Sequence, residues 1–113
     1  MPFIDSKITV PVTEKEKEKI KAELGKAITT LHKTETYLMV GIEDKYDLWL
    51  AGKKLEKGAY VSVSLYGSAA PEDYDKLTAQ ICDLYAKELG IPGDAIYVSY
   101  HPVSDWGWNG SNF

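Results

Sequence analysis

The sequence predicts an α/β (α+β) fold, a duplicated βαβ unit that forms one four-stranded mixed sheet with two helices on one face. Three observations predict it. Strand-like, helix-like and strand-like segments follow one another in residues 3–43 and again in residues 60–100. Each helical segment opens on its own start signal, Thr13 with Glu16 in the first and Pro71 with Glu72 and Asp73 in the second. The segment 60–66 alternates Val61, Val63 and Leu65 with Tyr60, Ser62, Ser64 and Tyr66, which is a strand with two different neighbours. Right-handed crossovers put both helices on one face of the sheet. A chain of 113 residues has no third layer for the other face, so that face is expected to be covered by identical subunits.

The elements follow in order. Residues 3–10 read as a strand, with Phe3, Ile4, Ile8 and Val10, closed by Pro11. Thr13 and Glu16 form a capping box, in which hydroxyl and carboxylate satisfy the orphan N–H groups of a helix start. That helix is expected over 14–33, because Ile20, Leu24, Ala27, Ile28 and Leu31 share one stripe. The alternating charges of Glu14 to Lys19 fit its solvated face. Residues 37–43 read as a strand, apolar enough to be central. Leu48, Trp49 and Leu50 suggest a short strand or buried turn, and Gly52-Lys53-Lys54 an exposed loop. Pro71 opens the second helix at its preferred first position, with acids where the helix dipole favours them. Tyr74, Leu77, Ile81, Leu84 and Tyr85 form its stripe, and Gly90 stops it. A strand is expected over 95–100. Asn109-Gly110 signals a C-terminal hairpin within 106–113. The whole of 1–113 is expected to be a single domain.

Composition removes several classes of function. Net charge is −4, which suits no nucleic-acid partner. No apolar run approaches the roughly 18 residues of a membrane helix, and the first residues do not form a secretory signal. A cytoplasmic location is expected, and leaderless secretion is compatible with it. All 13 basic residues are Lys, so bidentate guanidinium recognition of an anion is unavailable. Cys82 stands alone, and His32 and His101 lack partners at metal-ligand spacing, so neither a disulfide nor a metal site is expected.

Three places carry chemistry. Removal of Met1 before Pro2 would expose a secondary amine held by a strand, although Met-Pro is also an ordinary chain start. Lys33, at the end of the first helix and four residues before Tyr37, either complements the helix dipole or captures a substrate carboxylate. The tail from Trp106 to Phe113 holds two Trp and a Phe, which pack on a neighbour or wall a pocket.

Met1-Pro2-Phe3-Ile4, the Lys33 to Tyr37 spacing, Tyr97-Val98-Ser99-Tyr100 and the tail Gly107 to Phe113 together resemble the macrophage migration inhibitory factor family and its relative D-dopachrome tautomerase. The resemblance covers essentially the whole chain. It implies a homotrimer with sheets facing a central axis, active sites between subunits, no cofactor, and keto–enol exchange of phenylpyruvate and related 2-oxo acids. It implies Pro2 as the catalytic base, with Lys33 and the backbone N–H of Tyr66 holding substrate oxygens. Tyr97 and Ser99 would come from the adjacent subunit. Tyr37, Trp106, Trp108 and Phe113 would form the aromatic mouth, with Ser64 also on the substrate side. Burial and the charge of Lys33 would both lower the pKa of the Pro2 amine toward working pH.

This chain departs from the family pattern in places. Gly58-Ala59-Tyr60-Val61 stands where vertebrate cytokines carry Cys-x-x-Cys, so no thiol-redox activity is expected. Ser99 replaces an Asn, Trp106 a small aliphatic residue and Tyr66 a smaller aliphatic one, which alters the pocket. A cytokine-like signalling or host-modulating protein with an incidental pocket is the rival reading.

Overall fold

The computed structural model describes residues Met1–Phe113. The chain forms β1 (Pro2–Ile8), α1 (Glu14–Ala27), β2 (Met39–Glu43), β3 (Trp49–Leu50), β4 (Lys53–Lys54), β5 (Ala59–Tyr66), α2 (Pro71–Leu89), β6 (Ile96–Val103), β7 (Gly107–Trp108) and β8 (Ser111–Asn112), with short 3₁₀ turns between. The main sheet has the order β2-β1-β5-β6. Strands β1 and β2 run parallel, as do β5 and β6, and the two pairs meet antiparallel along β1 and β5. The expected mixed sheet and duplicated βαβ order are therefore both present.

Strict alternation decides which face is which. Pro2, Ile4, Ser6 and Ile8 of β1 are buried, as are Ala59, Val61, Val63 and Leu65 of β5. Of these, Ile4, Ile8, Ala59, Val61, Val63 and Leu65 pack in one core with Ile20, Leu24, Ile28, Leu77, Ile81 and Tyr85. Phe3, Asp5, Lys7, Tyr60, Ser62, Ser64 and Tyr66 point the other way, onto a face that no element of this chain covers. No helix is long and apolar enough to cross a membrane.

Several boundaries differ from expectation for local reasons. Strand β1 begins at Pro2 and its pairing ends at Ile8 rather than at Val10. Beyond it, the Thr9 hydroxyl donates to the Glu56 carbonyl and accepts from the Gly58 N–H, which turns the chain away. The capping box of α1 forms as expected, with the Thr13 and Glu16 N–H groups satisfied at 2.9 and 3.1 Å. The α-helix ends at Ala27 instead of 33 and tightens into a 3₁₀ turn over Ile28–Leu31. β-Branched Ile28, Thr29 and Thr30 favour the helix least there, and the Thr29 hydroxyl takes the Lys26 carbonyl. Tyr37 belongs to another 3₁₀ turn, Glu35–Tyr37, so the strand expected from 37 starts at Met39. That strand, β2, lies at the sheet edge and not in its centre. Its apolar Val40 and Ile42 report packing on the core, which is blind to the number of hydrogen-bonded neighbours. Residues 53–54 form a strand of a small hairpin with Trp49–Leu50 instead of an open loop. Strand β6 reaches Val103, three residues past the expected end. Helix α2 starts at Pro71 and ends against Gly90 at φ 67, where a left-handed turn favours glycine.

One polar pair is sealed in the core. The Ser6 hydroxyl is hydrogen-bonded to the Tyr85 hydroxyl beneath α2. Burial pushes the Tyr85 phenol up to about 12, against about 10 in an unfolded chain. The fold therefore favours the neutral phenol, and that contribution is complete below about pH 10 and disappears as pH rises toward 12. Tyr85→Phe strands the Ser6 hydroxyl without a partner and is expected to cost about 1–3 kcal/mol at neutral pH. Urea unfolding of both proteins checks this, and the wild-type advantage should shrink above pH 10. An equal midpoint at pH 7 would show that Ser6 finds another partner.

Candidate active site

The first strand, the end of the first helical segment and the end of β5 converge at one corner. Pro2 is buried there and lies in register with Leu65. Just before it, the Met1 carbonyl accepts the Tyr66 N–H at 2.9 Å, the last rung between β1 and β5. Lys33 Nζ donates to the Tyr66 carbonyl at 2.8 Å from a half-buried position. Both backbone polar groups of Tyr66 are thus engaged at the same corner. Burial, and then the charge of Lys33, lower the pKa of the Met1 amine below that of an ordinary chain terminus.

Lys33 arrives there because the chain turns sharply after the first helix. His32 adopts the left-handed conformation at φ 60 and its N–H closes on the Thr29 carbonyl. Its ring Nε2 lies 3.2 Å from Asp73 Oδ2 in the first turn of α2, which ties the turn to the second helix. Lys33 therefore follows the helical segment and is not its last residue.

An aromatic chain leads outward from this corner. The Tyr66 and Phe113 rings lie 5.5 Å apart between centroids. Trp108 stacks near Phe113 at 6.3 Å with an interplanar angle of 10°. Tyr37 meets Trp108 edge-on at 5.9 Å. The hairpin that carries Trp108 turns through Asn109 and Gly110, both at positive φ, as the Asn-Gly pair signals. The Phe113 N–H donates to the Trp106 carbonyl at 3.0 Å, which folds the tail back. Tyr37, Trp108 and Phe113 nevertheless stay about half exposed, so this wall is open on one side. The structure thus brings Pro2, Lys33, Tyr37, Tyr66, Trp108 and Phe113 together, with Trp106 joined through its backbone.

Ser64, Tyr97 and Ser99 are placed differently. Ser64 lies on the uncovered sheet face opposite Phe3. Pro102 of β6 aligns with Leu65, whereas Ser99 aligns with Ser62 and Tyr97 with Tyr60. At about 3.3 Å per residue, Tyr97 is roughly 17 Å along the sheet from the Pro2 corner. Within one chain it cannot reach the site. Tyr97 is 63% exposed. Ser99 Oγ is held by the Tyr60 hydroxyl at 2.6 Å and by His101 Nε2 at 2.7 Å. Tyr60 and His101 were not among the sequence candidates. The alternation of β6 carries a signal for His101, which shares a face with Ser99. The engagement of Tyr66 by Met1 leaves no sequence signal, because both partners are backbone groups.

The corner thus holds the buried Pro2, preceded by the Met1 amine, with one cation, one backbone N–H and an apolar aromatic wall. Such a set suits a planar oxo acid, and a Pro2 amine freed of Met1 would add a base beside it.

Known proteins share this architecture. Residues 1–113 match the family model described as macrophage migration inhibitory factor. The solved Leishmania major MIF2 has a TM-score of 0.93 and 32% identity, over 100% of this chain and 97% of that one. The Xenopus laevis macrophage migration inhibitory factor is 35% identical over 54 residues, 46% of this chain and 44% of the frog protein. The Caenorhabditis elegans MIF-like protein mif-2 is 33% identical over 69 residues, 54% of this chain and 58% of the worm protein. The matched segments thus span about half the length of these two curated relatives. With its full length matched by the family model and its fold shared throughout with a solved member, the chain belongs to the macrophage migration inhibitory factor family.

Proposed function

We propose that this protein is a keto–enol tautomerase acting on phenylpyruvate-type 2-oxo acids, with the amine of Pro2 as general base and acid once Met1 is removed. The observation that carries this reading is the convergence of buried Pro2, Lys33 Nζ and the Tyr66 N–H at one end of an aromatic wall.

The chemistry follows from the charges. In the keto form, the C3–H next to the carbonyl is the acidic bond. The neutral Pro2 nitrogen takes that proton, the C–H electrons form the C2=C3 double bond, and the carbonyl electrons move to oxygen. Protonated Pro2 then returns a proton to that oxygen, so atoms and charge balance over the cycle. The nitrogen must be unprotonated at working pH. The environment that lowers the Met1 amine pKa, burial with Lys33 alongside, acts in the same direction on Pro2. Lys33 offsets the carboxylate and the negative charge that develops on the enolate oxygen, without rearrangement during the reaction. The aromatic wall accepts the phenyl ring and excludes water.

The uncovered sheet face supports a homotrimer in which the adjacent subunit supplies Tyr97 and Ser99 to this corner. Tyr97, Trp49 and Met39 are each at least 60% exposed in the single chain, which is unusual for side chains of this size. Subunit mixing tests the shared site. Trimers of Pro2→Gly and of Tyr97→Ala are each expected to have lowered activity. After dissociation and reassembly at equal amounts, about a quarter of the sites combine an intact Pro2 with an intact neighbouring Tyr97. Activity should rise above the mean of the two parents, and activity equal to that mean would show that Pro2 and Tyr97 do not act together across subunits.

The primary test combines intact mass with an ultraviolet assay of phenylpyruvate keto–enol exchange. A mass lacking Met1 with catalysed exchange supports the reading. A mass lacking Met1 with no exchange, for phenylpyruvate or its 4-hydroxy analogue, overturns it.

A further inference from the structure

We propose that His32 and Asp73 are positioning residues of the site, whose hydrogen bond holds the left-handed bend that aims Lys33 at Tyr66. The consequence for substrate rests on the proposed function, while the aim of Lys33 is measurable without any substrate.

The bend carries strain. Residue 32 stands at φ 60 and ψ 31 with a full side chain. An L-residue is disfavoured there because its Cβ crowds the following carbonyl oxygen. Histidine enters this region more readily than most residues, and here its ring is anchored. His32 Nε2 lies 3.2 Å from Asp73 Oδ2. A carboxylate only accepts, so Nε2 carries the hydrogen, which it can do in the neutral ring as well as in the imidazolium. The bond therefore does not require a charged ring.

The far end of this bond is firmly seated. The Asp73 side chain is only 20% exposed, against 79% for His32. Within the first turn of α2, the Asp73 N–H donates to the Ala70 carbonyl at 2.9 Å. A second link lies beside the first. The Thr30 hydroxyl donates to Gln80 Oε1 at 2.9 Å, and Gln80 follows Asp73 by two helical turns on the same side of α2. Residues 30 and 32 are thus both tied to α2, and Lys33 comes next.

The ties converge on one bracket. His32 holds Asp73 and Lys33 holds the Tyr66 carbonyl, so two consecutive residues grip the two ends of the connection 66–73. That connection is itself fixed. The Gly67 N–H donates to the Val103 carbonyl at 2.9 Å and the Ala69 N–H to the Tyr74 hydroxyl at 3.0 Å. When the His32 end lets go, the strained bend loses its anchor and Lys33 Nζ leaves the Tyr66 carbonyl more often. The ammonium proposed to meet the substrate carboxylate is then less often in place, while Pro2 is untouched.

Charge and position predict opposite signs. If Asp73 acted only through its negative charge, its removal would favour an anionic substrate and lower KM. Removed as a positioning residue, it raises KM.

The test uses protein freed of Met1, as wild type, Asp73→Ala, Asp73→Asn, His32→Ala and the double alanine variant. Trace acetylation with acetic anhydride, read by peptide mass spectrometry, gives the rate at Lys33 relative to the exposed Lys15 of the same molecule. Either single alanine should raise this ratio about threefold. The double variant should add nothing further, because both changes break one bond. Asp73→Asn keeps an acceptor for the Nε2 hydrogen and should match wild type. With phenylpyruvate, the alanine variants should raise KM about fivefold with kcat within about twofold. His32 is exposed, so His32→Ala carries the test if Asp73→Ala folds poorly. An unchanged Lys33 ratio in His32→Ala overturns the proposal, and so does a raised ratio with KM unchanged or lowered. An Asp73→Asn that behaves like Asp73→Ala overturns it as well, since charge rather than the bond would then matter. A raised ratio in both alanine variants, when wild type exchanges no phenylpyruvate, supports the bracket and counts against the proposed function instead.

Discussion

Pro2→Gly, in protein freed of Met1, is expected to lower the proposed kcat/KM for phenylpyruvate about 100-fold while the melting curve stays nearly intact. Glycine leaves an amine at the same point of the chain, so the position is not emptied. It does remove the ring that is buried at the start of β1 and that fixes the direction of the nitrogen. A primary amine is also less basic than the proline amine and rotates where the ring cannot. The groups proposed to hold the substrate, Lys33 and the Tyr66 N–H, are untouched, so the loss should appear mainly in kcat with KM within about threefold. Steady-state kinetics on a sample of verified mass makes the measurement. A loss that falls on KM alone would mean that Pro2 shapes the pocket and that another group moves the proton. An unaltered kcat/KM would remove Pro2 from the mechanism altogether.

Much of the architecture was legible because it depends on patterns internal to one element. The alternation in 59–66 marks a strand with two unlike faces, and both faces occur. Thr13 with Glu16, Pro71, Gly90 and Asn109-Gly110 each act within a few residues, and each does so where the sequence places it. What pattern cannot show is which strands lie side by side. Strand β2 is apolar because Val40 and Ile42 reach the core, yet it is an edge. The hairpin of Trp49–Leu50 with Lys53–Lys54 turns through Ala51 at φ 53 as well as Gly52 at φ 78. Alanine gives no sign of a left-handed turn, so only half of the signal was present.

The candidate site divides along the same line. Lys33, Tyr37, Trp108 and Phe113 are side chains of distinctive chemistry, so a resemblance carried by the sequence singles them out as candidates. Tyr66 is different, since its backbone is what converges with Met1 and Lys33, and any residue in that position would present the same N–H and carbonyl. The Tyr60 and His101 contacts to Ser99 arise from the register of β5 with β6, which no single segment encodes. Tyr97 and Ser99 are far from Pro2 along the sheet, so one chain holds only part of the proposed pocket.

Lys33→Ala is expected to produce a loss of comparable size, and its dependence on pH separates two roles of the same charge. As the partner of the substrate carboxylate and enolate oxygen, Lys33 should contribute about 100-fold to kcat/KM, the scale of a single well-placed electrostatic donor. Burial and then Lys33 lower the pKa of the Met1 amine, and a charge so placed is expected to disfavour the protonated form of a freed Pro2 amine as well. The proposed base is the unprotonated Pro2 amine, so wild-type activity should rise with pH through a midpoint held below that of an exposed prolyl amine. Without Lys33 the amine holds its proton to higher pH, and the midpoint should move up. Above both midpoints the variant lacks only the electrostatic partner. Below them it also has fewer unprotonated amines than wild type, so the deficit should widen as pH falls. Profiles of kcat/KM against pH for both proteins provide the check. A parallel pair of profiles with one midpoint would show that Lys33 holds substrate without acting on the base, and a full recovery of activity at high pH would show the reverse.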